Sequence, residues 1–326
     1  MNIICTLPIS NLNSYLFQRA KLNLSVSVDK KIGKRTIVHK DILGHQIQLD
    51  FTDLDQRYLY EEHIREPENI FTYIALTKAG ICHSFIDIGA NYGHEALILL
   101  HQYKNLILIE PNPKICPTLD LMFKNEKSVE IINAAVVGEG SPNEIMLKVP
   151  IDSSALASIV ESPLMREEVE TFRCKAVTLK DIVKNITLDE SYIKIDVEGA
   201  EYLILESSKD IVMQSRAIVG FEALSREMAQ KCANLFENYA FYYARFDFID
   251  DNGSLKNPLK LLKSILGWKN SISVYRIDGS DFSKAPNNFS QVYCVPNEKQ
   301  RIFENAVKAE KARIKILDMR HIANYE

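Results

Sequence analysis

One segment, an apolar run that passes through a glycine-bearing turn into a helical pattern, limits the fold more than any other part of the chain. It covers residues 85–100 and reads FIDIGANYGHEALILL. Gly89 allows a tight turn, Gly93 lets the helix pack close against the strand, and Asn91 tolerates a left-handed backbone better than other non-glycine residues. The helix that starts near Gly93 directs free N–H groups and the positive end of its dipole at the turn, which suits a bound carboxylate or phosphate. The segment therefore predicts a strand, a ligand-binding turn and a helix.

After this segment, short apolar runs alternate with amphipathic stretches. The strand-like runs include NLILIEPN, VEIINAAVV, YIKIDVEG and AIVGFEAL, and helical periods occur in EALILLHQY and KICPTLDLMFKN. Alternation of this kind indicates βαβ units and a mainly parallel sheet. The continuous hydrophobicity within each run is typical of strands that are covered on both faces. The sequence thus predicts an α/β fold.

The regions before and after this core have other patterns. Residues 1–80 predict an N-terminal cap, with two short strands around Gly44 and one or two helices interrupted at Pro67. Residues 81–296 form the predicted ligand-binding domain, which includes a helical insert near residues 255–270. A mostly charged helix, roughly residues 298–318, is predicted within a final segment of residues 297–326.

The amino-acid composition excludes some classes of protein and some kinds of binding partner. Apolar residues make up 46% and charged residues 25% of the 326 residues, as in ordinary soluble globular proteins. The formal net charge of −4 argues against a nucleic-acid partner, which needs a basic face. The six cysteines lie far apart without a C-x-x-C pair, so we expect small buried thiols in a reducing compartment. Without a signal-peptide pattern or a membrane-spanning apolar run, the sequence predicts a cytoplasmic location.

An acidic residue downstream of the turn indicates a nucleoside ligand. Glu110 ends the second predicted strand, 21 residues past Gly89, where a carboxylate can accept hydrogen bonds from both ribose hydroxyls. A dinucleotide fingerprint needs G-x-G-x-x-G, whereas the turn GANYG has two glycines in another register. A ligand without a pyrophosphate is therefore favoured, and S-adenosylmethionine fits. Its amino-acid carboxylate would meet the turn amides, Asp87 would face its cationic half, and residues 133–136 would line the adenine edge.

Three segments carry a resemblance to a known family: FIDIGANYG, LILIEPNP and above all YIKIDVEGAEYLIL. Weaker similarities lie in IDSSALASIVESP and AVTLKDIV. Over roughly residues 85–224 the chain resembles the FkbM-type methyltransferases, a branch of the class I S-adenosylmethionine-dependent enzymes. The resemblance implies a Rossmann-like fold with a seven-stranded, mostly parallel sheet and an antiparallel edge hairpin. It also implies O-methylation of a hydroxyl, often on a sugar or a polyketide.

The resemblance assigns roles to individual residues. Asp196 would end strand four and face the methyl group, and Glu110 would hold the ribose. The cofactor-binding residues that we expect are Asp87, Gly89, Ala90, Asn91, Gly93, Glu110, Asn112 and Ala135.

Acidic residues gather after two neighbouring strands. Asp196, Glu198 and Glu201 lie in KIDVEGAE, and Glu222 ends the next strand in IVGFE. Since strands four and five are neighbours in this fold, these acids converge on the substrate cleft. They could accept the proton of an attacking hydroxyl, orient a sugar or hold a divalent cation.

Candidate catalytic residues follow from this cluster. We expect them to be Asp196, Glu198 and Glu222, whereas Glu201 reads equally well as the acidic first turn of a helix. No metal ligand is assigned, because the chain has no motif with a fixed ligand spacing. His63 and His94 are the alternative bases.

The insert NPLKLLKSILG predicts a basic amphipathic helix with a leucine stripe flanked by lysines. Such a helix could contact an anionic membrane surface, or pack its leucines on the core or on a partner subunit of a homo-oligomer.

Taken together, the sequence predicts an S-adenosylmethionine-dependent O-methyltransferase, most simply of a sugar or glycan hydroxyl. The alternatives are O-methylation of a polyketide-like small molecule, a nicotinamide-dependent oxidoreductase and a non-catalytic nucleoside-binding module.

Overall fold

The computed structural model describes residues 2–8, 12–33, 36–61, 64, 66–151, 156–160, 168–246, 271–285 and 289–310. The strands are β1 Asn2–Pro8, β2 Ile37–Ile42, β3 His45–Asp50, β4 Ser84–Ile88, β5 Asn105–Ile109, β6 Val129–Ile132, β7 Ala135–Val137, β8 Glu144–Pro150, β9 Val169–Thr178, β10 Ser191–Ile195, β11 Ile218–Ala223, β12 Tyr239–Phe246, β13 Ser271–Ile277 and β14 Phe289–Pro296. The α-helices are α1 Leu12–Lys31, α2 Leu54–Glu61, α3 Pro67–Lys78, α4 His94–Leu99, α5 Cys116–Met122, α6 Leu179–Ile182, α7 Glu201–Ser215, α8 Arg226–Ala233 and α9 Gln300–Glu310.

A nine-stranded sheet forms the centre of the protein, in the order β1-β13-β12-β14-β11-β10-β4-β5-β6. Strands β6, β5, β4, β10 and β11 are parallel to one another, and β14 runs antiparallel between β11 and β12. The predicted α/β, Rossmann-like class I methyltransferase fold is confirmed. The strand count differs from the predicted seven, because β13 and β1 extend the antiparallel end of the sheet.

The predicted third strand is divided in two. β6 ends at Ile132, where the Ala134 N–H donates to the Ile132 carbonyl at 2.9 Å, and the chain turns out of the sheet. The following strand, β7, pairs with β9 in a separate three-stranded sheet, β7-β9-β8. One continuous apolar run therefore contributes strands to two different sheets. Its hydrophobic pattern did not predict this division.

The N-terminal elements match their prediction locally. β2 and β3 pair as a hairpin around Gly44, and α3 begins at Pro67. Proline suits this first helical position because its missing N–H has no partner within the helix anyway. β1, however, pairs with β13 of the main sheet, so the first residues do not stand apart from it. The boundaries of the predicted domains stay a prediction.

Two apolar layers cover the two faces of the central sheet. Side chains of β4 alternate between them, so that Phe85 belongs to the layer that contains α3, and Ile86 to the layer that contains α7. All five residues of β4 and all five of β10 are buried, as expected for strands covered on both faces. This packing fixes the carboxyl ends of β4, β5, β10 and β11 at one edge of the sheet.

Two predicted features fall partly or wholly outside the described residues. The leucine stripe of residues 258–266 lies outside them, and the C-terminal helix is described only as α9, Gln300–Glu310, after a short 3₁₀ turn at Asn297–Lys299. Among the helices that are described, none is both long enough and apolar enough to cross a bilayer.

Candidate active site

A cleft of about 980 Å³, open to solvent, lies beyond the carboxyl ends of the parallel strands. Its walls include the ends of β4, β5, β10 and β11, together with the segment after β6. Ligands of open α/β sheets bind at this edge. Of the predicted site residues, Gly89, Ala90, Asn91, Glu110, Ala135, Asp196, Glu198 and Glu222 line the cleft.

The turn after β4 has the backbone that its sequence predicts. Gly89, Asn91 and Gly93 have φ angles of 88°, 50° and 71°, all in the left-handed region. A Cβ at Gly89 would lie 1.8 Å from the backbone oxygen of Asp196. Gly89 is therefore required both by its φ angle and by the close approach of the chain leaving β10.

Gly93 serves a different contact from the predicted one. A Cβ at this position would lie 2.8 Å from Phe123 and 2.9 Å from Leu119. These side chains belong to α5 and its end, so the glycine admits a helix from the next βα unit rather than close packing of α4 on a strand. Gly93 precedes α4 and is not among the residues that line the cleft.

The amides of the turn are already engaged within the protein. The N–H groups of Gly89 and Ala90 donate to the Ile109 carbonyl at 2.9 and 3.1 Å, and that of Asn91 donates to Glu110 Oε2 at 2.8 Å. These three amides are therefore not available to a ligand carboxylate, which the prediction placed against the turn amides and the N–H groups at the start of the helix near Gly93. The hydrogen bonds of the three amides instead fix the turn to the end of β5.

Glu110 links the turn to the loop after β5. Its Oε1 accepts the N–H of Asn112 at 2.8 Å, so that both carboxylate oxygens are held by backbone amides. Burial raises the pKa of Glu110 to about 7, although these two hydrogen bonds oppose the shift. Asn112 is fully buried and does not line the cleft, so it positions Glu110 from behind.

Apolar residues form a large part of the lining of the cleft. Ala134 to Val136 lie on it, as the prediction for residues 133–136 requires, but Asn133 is exposed and donates instead to Asp120. The remaining apolar lining residues are Ile88, Ile109, Pro111, Leu147, Ala157, Ile159 and Val197. This surface is suited to the face of a planar ring.

A buried lysine, Lys194, lies beside the turn and also lines the cleft. The Nζ of Lys194 lies 3.1 Å from Asp87 Oδ1, 3.3 Å from Asp196 Oδ2 and 3.8 Å from Glu95 Oε1. Burial lowers the pKa of Lys194, but the neighbouring carboxylates outweigh it and hold the pKa well above its ordinary value.

Asp87 pairs with this lysine instead of facing the cleft. It is fully buried and is not among the residues lining the cleft. Burial raises its pKa to about 6, with Lys194 opposing the shift. At neutral pH the pair is therefore ionised, and the charge of Asp87 is directed at Lys194.

The predicted carboxylates do converge. One carboxylate oxygen from each of Asp196, Glu198 and Glu222 lies within 4.8 Å of the other two. Burial and the adjacent Asp196 and Glu198 raise the pKa of Glu222 well above its ordinary value. Glu201 has the structural role instead, since its carboxylate accepts the N–H groups of Val197 and Gly199 at the start of α7.

Comparison of the chain with known proteins identifies its family. The model of the family described as "Methyltransferase FkbM domain" matches residues 87–251, half of the chain. The chain belongs to the FkbM methyltransferase family. It is thus a methyltransferase, and the matched range contains the turn, Glu110 and the carboxylate cluster.

Solved structures provide further similarities. Methyltransferase FkbM from Methylobacillus flagellatus KT is 13% identical over 60% of this chain and 44% of its own, with a TM-score of 0.34. This chain therefore matches less than half of that protein's length. Trm1 from Pyrococcus horikoshii, solved with S-adenosyl-L-methionine, is 10% identical over 87% of this chain and 80% of its own, with a TM-score of 0.37. No curated protein matches the chain.

Several residues of this FkbM methyltransferase site were missed by the sequence analysis. The sequence contains one sign of Lys194: it is the single charged residue in the otherwise apolar run YIKI. A lysine in a buried strand needs a charged partner, so its position could have indicated an ion pair. Glu66, next to the start of α3, Glu95 on α4 and Ser158 also line the cleft. The hydroxyl of Ser158 donates to the Glu198 carbonyl at 3.0 Å, and this contact involves one of the weaker family segments.

The structure describes only one of the two histidines that were candidate bases. His94 is buried and lines the cleft, with its ring edge-on to Tyr58 at 6.4 Å between centroids. His63 lies outside the described residues.

Proposed function

We propose that this protein is an S-adenosylmethionine-dependent O-methyltransferase that acts on a hydroxyl of a sugar or glycan. The charge of the cleft is the observation that carries the proposal. The carboxylates among its described lining residues are Glu66, Glu95, Glu110, Asp196, Glu198 and Glu222, against a single lysine, Lys194. Even if Glu110 and Glu222, whose pKa values are raised, are left out, four carboxylates face one lysine, so the cleft attracts a cationic ligand and repels a pyrophosphate. A sulfonium cofactor is therefore favoured over a nicotinamide dinucleotide.

The donor and acceptor groups of the cleft fit this cofactor. The Glu110 carboxylate beside the turn suits ribose hydroxyls, and the apolar lining at Ala135 suits an adenine ring. The acidic side chains suit the sulfonium and the ammonium group. When bound, S-adenosylmethionine supplies the methyl group.

The chain's own residues would bind the acceptor and take up its proton. Glu222 has a raised affinity for a proton, which suits a base for a weakly acidic sugar hydroxyl. Lys194 orients Asp196 from a distance of 3.3 Å. Clustered carboxylates can hydrogen-bond neighbouring hydroxyls of one sugar, and this supports a sugar over a polyketide-like acceptor.

Methyl transfer from labelled S-adenosylmethionine to a panel of sugar and non-sugar alcohols tests the proposal. We expect label on a sugar hydroxyl, and a loss of about 100-fold or more in rate for Asp196→Asn or Glu222→Gln. The matched control is Glu130→Gln, which changes an exposed carboxylate on β6 and should retain the rate. Transfer only to non-sugar acceptors would refute the substrate class, and no transfer to any acceptor would refute the activity.

A further inference from the structure

Three carboxylates that line the cleft form a compact set of oxygen ligands. Asp196 and Glu198 follow β10, Glu222 belongs to the neighbouring β11, and one oxygen from each lies within 4.8 Å of the other two. We propose that Asp196, Glu198 and Glu222 bind a hard divalent cation of the Mg²⁺, Mn²⁺ or Ca²⁺ class. The sequence left cation binding as one of three possible roles for these acids and assigned no metal ligand; the convergence of the three oxygens favours that role.

Glu222 provides the second observation. The residue is half-buried as a whole, but its Oε2 is buried and has no hydrogen-bond partner among the described residues. The charged groups that act on it most strongly are all acidic: Asp196, Glu198, Glu66 and Glu201. A carboxylate in such surroundings is costly unless a proton or a cation compensates it. One carboxylate oxygen of Glu222 lies within 4.8 Å of one from each of the other two ligands, where a single cation could contact all three.

The lysine of the site does not supply this compensation. Lys194 is shared between Asp87, Glu95 and Asp196, so its single charge is already offset. The ligands are all carboxylate oxygens without a thiolate or an imidazole, which favours hard cations over zinc or copper.

The position of the site gives the cation a role at the acceptor. All three ligands line the cleft, so coordination positions on its open side would face a bound substrate. Two neighbouring hydroxyls of a sugar could occupy them together. This role rests on the proposed function, whereas the binding of the cation itself does not. With a cation bound, Glu222 would hold the metal and would not be the base.

Titration of the metal-free protein with Mn²⁺ alone tests the proposal, with binding followed by electron paramagnetic resonance and stability by thermal melting. We expect one Mn²⁺ per chain, a rise in Tm, and at least about tenfold weaker binding with little Tm rise in Glu222→Gln. Glu130→Gln should behave as the native protein does. Without metal, Glu222→Gln should be at least as stable as the native protein, because it removes a buried charge that lacks a partner. That result separates loss of the site from misfolding.

Two results would overturn the proposal. One is the absence of Mn²⁺ binding up to about 1 mM, the weak end of protein calcium sites, since a shared proton or an acceptor ammonium would then compensate the cluster. The other is unchanged Mn²⁺ binding in Glu222→Gln, which would place the ion elsewhere. Calorimetry with S-adenosylmethionine in the presence of EDTA tests the cofactor separately: binding there, with no Mn²⁺ site, removes the metal proposal alone.

Discussion

Replacement of Lys194 by methionine should destabilise the protein severely. The side chain keeps its approximate length and loses its charge, while Asp87 stays fully buried. Lys194 gives Asp87 the one hydrogen bond that its carboxylate has among the described residues, since Oδ2 has no partner. At 3.1 Å and an effective dielectric constant of about 20, this pair interacts with about 5 kcal/mol. Removal of one partner from a buried pair typically costs about 3–5 kcal/mol, because the other charge is left uncompensated.

The assay is urea denaturation of the native protein, Lys194→Met, Asp87→Asn and the double variant at pH 8 and pH 5. We expect a loss of about 3–5 kcal/mol in the free energy of unfolding for Lys194→Met at pH 8. The loss should be smaller at pH 5, since the carboxyl of Asp87, with its pKa already raised to about 6, becomes neutral there. The double variant should recover part of the stability because it leaves no buried charge on Asp87. A loss below about 1 kcal/mol, or a double variant no more stable than Lys194→Met, would refute this reasoning.

Two further predictions concern the turn and its pH dependence. Gly89→Ala should cost more stability than Gly140→Ala in thermal or urea unfolding: both have φ above +80°, but only the Cβ at Gly89 meets the Asp196 oxygen, at 1.8 Å. Equal losses, each about 1–2 kcal/mol from the left-handed backbone alone, would contradict that explanation. Burial raises the pKa of Glu110 from 4.5 to about 7. Between pH 4.5 and about 7 the folded state therefore binds more protons than the unfolded state. As the pH rises through this range, the free energy of unfolding should fall by an amount of order 3 kcal/mol because of Glu110. In Glu110→Gln the change in the free energy of unfolding with pH should be smaller by this amount. An unchanged pH profile of stability in this variant would contradict the assigned role of Glu110.

Local patterns predicted the parts of this site that depend on neighbouring residues in sequence. The left-handed backbone at Gly89 and Asn91 follows from the turn GANYG, and the convergence of Asp196 with Glu222 follows from the adjacency of parallel strands. The buried faces of β4 and β10 follow from their continuous hydrophobicity.

Long-range contacts account for what the sequence did not reveal. The pairing of Asp87 with Lys194 joins residues 107 positions apart, so it depends on the register of β4 with β10. Engagement of the turn amides depends on the Ile109 carbonyl and on Glu110, at the end of another strand. The entry of Glu66 into the cleft depends on how the segment before α3 packs, which has no signature in its own residues.

Isothermal titration calorimetry of the purified protein with S-adenosylmethionine, and in parallel with NADH, tests the central claim most directly. The account predicts one S-adenosylmethionine bound per chain, with affinity reduced at least about tenfold in Glu110→Gln, and no heat of binding for NADH. Absence of S-adenosylmethionine binding, or preference for the dinucleotide, would contradict an acidic cleft built for a cationic nucleoside.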